Sequence, residues 1–158
     1  MPALSVHLTR LQPLAVMLGL AFGLGLLTAC SDSNQGPSWP LLTDCDLHQQ
    51  ACRHQQNSQQ VNLSLSPQPV PIARPINVQV ELAGFEDVSK IELDIAGINM
   101  YMGYNRVNLS ADTADLYTGQ TMLAFCTNEV MQWQVTVLVH DHAGLVTQIP
   151  YLLETRNR

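Results

Sequence analysis

Sulfur is the most distinctive chemistry in this sequence. Met100 and Met102 stand two apart within Asn99-Met100-Tyr101-Met102-Gly103-Tyr104-Asn105, and Cys126 precedes Met131 by five residues. Thioether and thiolate sulfurs are soft donors that favour Cu(I). On extended chain, side chains two apart share a face, so the two Met side chains would point the same way. Met100, Met102, Cys126 and Met131 therefore form a candidate Cu(I) site, drawn from two stretches that a small fold can bring to one end. The plainer role for the same residues is packing, because Met fills irregular cores and thiols are among the most buried groups. Met122, opening the short apolar run that leads to Cys126, reads as core. Of six methionines, Met1 and Met17 lie near the amino terminus. Four remain, too few for a Met-rich tract. His140 and His142 are also two apart, but Asp141 and Gly144 put them at a hairpin tip.

A second constellation is Asp44-Cys45-Asp46-Leu47-His48-Gln49-Gln50-Ala51-Cys52. A disulfide between Cys45 and Cys52 would close a small loop and stabilise by restricting the unfolded chain. The sharper alternative is a metal clasp of Cys45, His48 and Cys52, although the Cys gap exceeds the two to four residues of a zinc site. A staple joining either of them to Cys126 is a third arrangement, incompatible with Cys126 as a metal ligand.

Enzymatic patterns are missing. The sequence has no C-x-x-C, no glycine-rich phosphate loop and no H-E-x-x-H. No Ser is set on a strand-to-helix elbow, and Asp112 and Asp115 sit in an acidic turn where both should be solvated. The expectation is a non-catalytic protein.

The elements that would hold these residues begin with an address. Pro13 to Leu27 is almost wholly apolar, and Arg10 lies ahead of it. About 15 apolar residues suit a signal-peptide core better than a membrane span, which needs about 20. The run ends in Leu27-Thr28-Ala29-Cys30, which looks like a bacterial lipobox, with residues 1–29 the removed signal peptide and Cys30 the lipidated mature amino terminus. One acyl chain binds a membrane marginally, whereas two or more anchor stably; the lipoprotein modification, palmitate included, supplies more than one. Ser31 rather than Asp after the Cys implies sorting onward to the outer membrane. The expected setting is the cell envelope, lipid-anchored and facing the periplasm. Removing 29 residues leaves 129, with one of seven basic residues lost and all thirteen acidic ones kept, a net charge of −7 with His neutral. That sign argues against nucleic acid and against docking on anionic headgroups. The exported compartment is oxidising, which favours the disulfide over the metal clasp at Cys45 and Cys52.

Residues 30–60 read as the lipidated Cys, a polar tether over 31–40, the Cys45/Cys52 loop, and an exposed Gln-rich loop from His54 to Gln60. From Val61 to the end the pattern becomes β. Val61, Leu63 and Leu65 alternate with polar residues, as do Ile76, Val78, Val80 and Leu82, then Ile91, Leu93 and Ile95. Pro67, Pro69, Pro71 and Pro75 interrupt the first two. Further strands are expected at Arg106–Leu109, Tyr117–Leu123, Trp133–Val139 and Leu145–Leu153, the last two joined by a hairpin through Asp141-His142-Ala143-Gly144. No stretch after Cys30 repeats apolar residues at helical spacing. About seven short strands with regular turns predict an all-β, antiparallel, Ig-like β-sandwich over residues 61–158.

The chain from Trp39 onward resembles a group of proteobacterial lipoproteins of unassigned activity. The resemblance rests on Trp39-Pro40-Leu41, Asp44-Cys45-Asp46-Leu47 with Cys52, Met100-Tyr101-Met102-Gly103-Tyr104-Asn105, Tyr117-Thr118-Gly119, and Cys126 followed by Met131-Gln132-Trp133. It is also distantly similar to small β-sandwich domains associated with copper, although Gln132 stands where those carry Gly. The resemblance implies a setting like that of cytochrome oxidase assembly and copper delivery. The functional expectation is thus a membrane-anchored binding or assembly module handling Cu(I), with an envelope or oxidase-assembly protein as partner. The alternative is a structural or protein-interaction lipoprotein of the envelope that carries no metal.

Overall fold

The computed structural model describes residues 35–156. Lipidation at Cys30 and the signal peptide before it lie outside the described residues. Nine strands and no helix are seen among those described: β1 (Gln35–Ser38), β2 (Cys52–Gln56), β3 (Gln59–Ser66), β4 (Ile76–Ala83), β5 (Val88–Gly97), β6 (Tyr104–Ala111), β7 (Leu116–Thr121), β8 (Val130–Asp141) and β9 (Val146–Arg156). They form one mixed, curled sheet in the order β1-β9-β8-β5-β6-β7-β4-β3-β2.

The seven strands expected from residue 61 onward are present as β3 to β9, because their apolar alternation has one face to bury. In β4, Ile76, Val78, Val80 and Leu82 are buried while Asn77, Gln79, Glu81 and Ala83 are exposed. The inward rows of β8 (Met131, Trp133, Val135, Val137, Val139) and β9 (Ile149, Tyr151, Leu153) join those of β3, β4 and β5 in one hydrophobic core. Leu138 is buried but stands outside that core, on the outer face of β8.

Two strands were not expected. β1 falls within the presumed tether, and β2 runs from the end of the Cys45/Cys52 loop into the presumed exposed loop, so two strands precede the expected seven and make nine among the described residues. β1 also runs parallel to β9, pairing Gln35 with Val146 and Ser38 with Gln148, so the sheet is not purely antiparallel. β1 has no apolar alternation because it is a short edge strand, and Pro37, lacking an N–H, is tolerated there. Gly36 lies so close to β9 that an added Cβ would sit 2.6 Å from the Val146 carbonyl oxygen. β2 escaped notice because its buried positions are Cys52 and His54, neither of which registers as an apolar strand residue.

β6 turns the corner of the sheet. It pairs with β5 from Tyr104 to Leu109 and then with β7 through Ser110 and Ala111. Curling brings the two edges together, and aromatic groups hold them. His54 of β2 lies edge-on to Trp39 at 5.0 Å and to Tyr151 of β9 at 5.8 Å. Its Nε2 donates to the Pro40 carbonyl at 2.8 Å, and Trp39 stacks on Phe85 at 6.3 Å. The Tyr151 hydroxyl donates to the Val61 carbonyl of β3 at 3.0 Å, in a buried position. Burial raises the Tyr151 phenol well above its ordinary range, so it remains a donor.

A buried carbonyl that loses its donor keeps its desolvation cost. Tyr151→Phe should therefore lower the unfolding free energy by about 1–2 kcal/mol in urea titrations, with the sheet spectrum unchanged. Unaltered stability would mean that this cross-sheet bond contributes nothing.

Candidate functional site

Two loops meet at one end of the sheet, residues 98–103 between β5 and β6 and residues 122–129 between β7 and β8. The first continues the ladder beyond β5 by other means. Ile98 N–H donates to the Gln132 carbonyl at 2.8 Å. The Asn99 side chain then imitates a strand residue, donating through Nδ2 to the Val130 carbonyl and accepting at Oδ1 from Gln132 N–H, both at 3.0 Å. Gly97 lets the chain fold back on itself, since a Cβ there would run into the Met100 carbonyl oxygen and press on Met102. The second loop is tied to β6 by Asn105, whose Nδ2 donates to the Met122 carbonyl at 2.6 Å and to Thr121 Oγ1 at 3.1 Å.

These anchors set the Cys126 Sγ 3.3 Å from the Met100 Sδ, across 26 residues of sequence. Cys126 is buried and outside the disulfide, whereas Met100 is partly open to solvent. Two of the four expected donors are thus brought together. Met102 sits on the same loop, packs against the core, and lines a neighbouring groove of about 320 Å³ with Met122, Leu123, Ile95 and Trp133. Met131 is wholly buried on the inward row of β8, and Asn128 Nδ2 faces its sulfur at 3.8 Å. The structure places its sulfur in the core.

Sequence reasoning missed Met122, expected in the core but half-exposed at the groove, and it missed the rim. Tyr101 and Tyr104, 79% and 76% exposed, meet edge to face at 6.2 Å. With Ile98, Met100, Met122 and Phe125 they account for six of the eight exposed large apolar side chains among the described residues. The available signal was alternation, since Thr121 and Leu123 point inward and Met122 must then point out.

The other candidate clusters have structural explanations. Cys45 and Cys52 form a disulfide with Cα atoms 5.7 Å apart, which removes the clasp as a metal site. His48 is also fully used: its Nδ1 accepts from Val70 N–H at 3.0 Å and its Nε2 donates to the Glu154 carbonyl at 2.7 Å. His142 Nδ1 bonds to the Asp87 carbonyl at the far end of the sheet. His140 lies on the outer face, its Nε2 2.7 Å from a Glu92 carboxylate oxygen whose other oxygen is 3.1 Å from Lys90 Nζ. Burial opposes ionisation of Glu92, but Lys90 and His140 outweigh it and hold the carboxyl below its ordinary value. Among the described residues, no group of three or more His, Cys, Asp and Glu side chains is arranged to hold a metal ion.

Comparison with protein-family models and with curated protein sequences finds no match to either. What the site can do must come from its own geometry.

Two outcomes follow from that geometry. Gly97→Ala should displace the Met100 carbonyl, cost about 1–3 kcal/mol through overpacking, and raise the alkylation rate of Cys126 several-fold by uncovering it. An unchanged rate would show that Met100 does not cover the thiol. For Glu92, a depressed native value adds stability above the unfolded value and loses it as pH falls through the native one. Glu92→Gln should therefore be less stable than the parent near neutrality, with the gap shrinking as pH drops below 4.5, glutamate's ordinary value. A gap independent of pH in unfolding titrations would refute the ion-pair account.

Proposed function

We propose that this chain is the precursor of a bacterial lipoprotein, acylated at Cys30 and held at the periplasmic face of the cell envelope. Its domain is a non-catalytic binding or assembly module that takes Cu(I) at Met100 and Cys126. The curled sheet is read as an Ig-like sandwich, with β1, β9, β8 and β5 in one layer, β2, β3, β4 and β7 in the other, and β6 as the corner. The Tyr151–Val61 bond between the layers supports that division.

The observation that carries the metal reading is the 3.3 Å approach of Cys126 Sγ to Met100 Sδ. Metal–sulfur bonds of ~2.3 Å opened to a trigonal angle separate two sulfurs by roughly 4 Å. The pair therefore needs to open by a little over half an ångström, and Met100, on a partly exposed loop, has the freedom to move. Thiolate and thioether together are a soft set suited to Cu(I). Met102, on the same loop, is the nearest candidate for a third donor. The second reading, a protein-interaction lipoprotein of the envelope without metal, is favoured by the six exposed apolar side chains around the same loops.

The test is an anaerobic Cu(I) titration of the purified lipoprotein against a chromophoric chelator. One ion per chain should bind, and Met100→Leu or Cys126→Ser should each weaken it at least tenfold. Met131→Leu, which keeps the core filled, should leave binding unchanged. Binding indifferent to the first two variants would sink the metal site.

A further inference from the structure

Cys126 and Met100 differ in what can reach them. The Cys126 Sγ stands 3.3 Å from the Met100 Sδ, yet Cys126 is 4% exposed and Met100 36%. A small oxidant arriving from solvent therefore meets Met100 first, on the side of its sulfur turned away from the thiol. The two loops keep that order. Gly97 confines the Met100 backbone, whose carbonyl lies where a Cβ would be, and Asn99 fixes the base of the loop on β8. The Cys126 loop is held by Ala73 N–H, which donates to the Leu123 carbonyl at 3.0 Å, and by Asn105 at the Met122 carbonyl.

We propose that Met100 is an oxidation site that guards Cys126, and that Cys126 reduces the Met100 sulfoxide back to methionine. This goes beyond the metal reading and depends neither on it nor on the lipid anchor. In the first step a hydroperoxide transfers its terminal oxygen to Met100 Sδ. The O–O bond breaks, the thioether is oxidised to the sulfoxide, and the peroxide is reduced to water or an alcohol. The oxygen lands on the solvent side, so the path from Cys126 Sγ to the sulfoxide sulfur stays open, on the side away from the S–O bond. The separation of 3.3 Å already falls in the near-attack range of about 3–3.5 Å.

In the second step Cys126 Sγ bonds to the sulfoxide sulfur, and the oxygen leaves as water with the thiol proton and one proton from solvent. A small external thiol then attacks Cys126 Sγ. The S–S bond to Met100 breaks, and its electron pair returns to Sδ as the restored thioether. That attack releases a proton and leaves a mixed disulfide on Cys126, which a second external thiol opens to regenerate the Cys126 thiol. The net change is one sulfoxide reduced and two external thiols oxidised to a disulfide. The other sulfurs are placed differently. Met131 is wholly buried, and Cys45 and Cys52 are joined to each other. Met122 is 50% exposed, more than Met100, and faces outward beside Leu123, so it oxidises readily and serves as the internal reference.

The experiment treats the purified, metal-free full chain with hydrogen peroxide, removes the oxidant, adds 2-mercaptoethanol, and follows each methionine by peptide mass. The parent should form sulfoxide at Met100 and Met122 and then lose it at Met100 alone, at least tenfold faster than Cys126→Ser does. That variant keeps Cys45 and Cys52, so any contribution from them is the same in both proteins. A mercaptoethanol mixed disulfide on Cys126 should appear as the Met100 sulfoxide disappears. Met100→Leu, which preserves the cover over the thiol, should yield at least tenfold less of that adduct, a readout that does not depend on the Ser variant folding. Equal loss of the Met100 sulfoxide in parent and Cys126→Ser would overturn the proposal. So would equal loss at Met122, oxidation of Cys126 ahead of Met100, or an undiminished adduct in Met100→Leu. No metal is present at any stage, so failure here leaves the Cu(I) reading standing.

Discussion

A sheet whose edge strands lie at opposite ends of the strand order must either close or leave both edges open to other strands. Here closure is achieved by side chains rather than by a ladder. His54 of β2 reaches the Pro40 carbonyl just after β1 and is wedged between the rings of Trp39 and Tyr151. Tyr151 in turn ties β9 to the backbone of β3. His54 Nε2 and the Tyr151 hydroxyl each have a carbonyl partner in this cluster, so satisfying one constrains the other. The Cys45–Cys52 disulfide anchors the start of β2, and His48 pins the same loop to Val70 and Glu154. Without that clasp the inward rows of β3, β4, β8 and β9 would have no common interior.

Closure has a consequence for the loops. Once β5, β8 and β9 are in register, residues 98–103 must leave the sheet at Gly97, and the ladder continues only because Asn99 supplies a donor and an acceptor from its side chain. That substitution of side chain for backbone lets the main chain turn away from β8 while remaining attached to it. Met100 is then carried over Cys126 instead of along the strand. The opposite end of the sheet is organised differently, by the tight β8–β9 hairpin and the Asp87 contact to His142, and it carries Leu145 as its only exposed large apolar side chain among the eight found in the described residues. One end is polar and tied to the incoming chain, and the other concentrates apolar surface and sulfur.

Much of this was legible in the sequence, for a physical reason. Ile76 to Leu82 and Ile91 to Ile95 alternate because each strand buries one face, and period-two burial leaves a visible trace. The disulfide was legible from spacing and an expected compartment. What was hidden followed other rules. β1 is a parallel edge strand built around Gly36 and Pro37, and its fit depends on close backbone approach rather than on apolar side chains. β2 buries a histidine and a half-cystine, neither of which registers as an apolar strand residue, and His54 is satisfied by the Pro40 carbonyl outside the strand. Met131 lies on the inward row of β8 because alternation with Trp133 and Val135 carries it inward once that strand begins at Val130. The same parity, applied to Thr121 and Leu123, turns Met122 outward. A strand end placed at Leu123 instead of Thr121 accompanied the misreading of Met122 as core.

The sulfur pair also shows how mobility is divided within the site. Cys126 is buried, and its loop is held to β6 by Asn105 and to the segment after the prolines by the Ile72–Leu123 bridge. Met100 is partly exposed, on a loop attached at its base by Asn99 and confined by Gly97. A thiol with little freedom faces a thioether with several rotatable bonds. Such an asymmetric pair suits a ligand that must enter and leave. In the proposed Cu(I) site the fixed donor would keep its orientation and the flexible one would absorb an opening of a little over half an ångström. The exposed Tyr101 stands on the same loop as Met100, with Tyr104 at the start of β6 and Phe125 on the neighbouring loop.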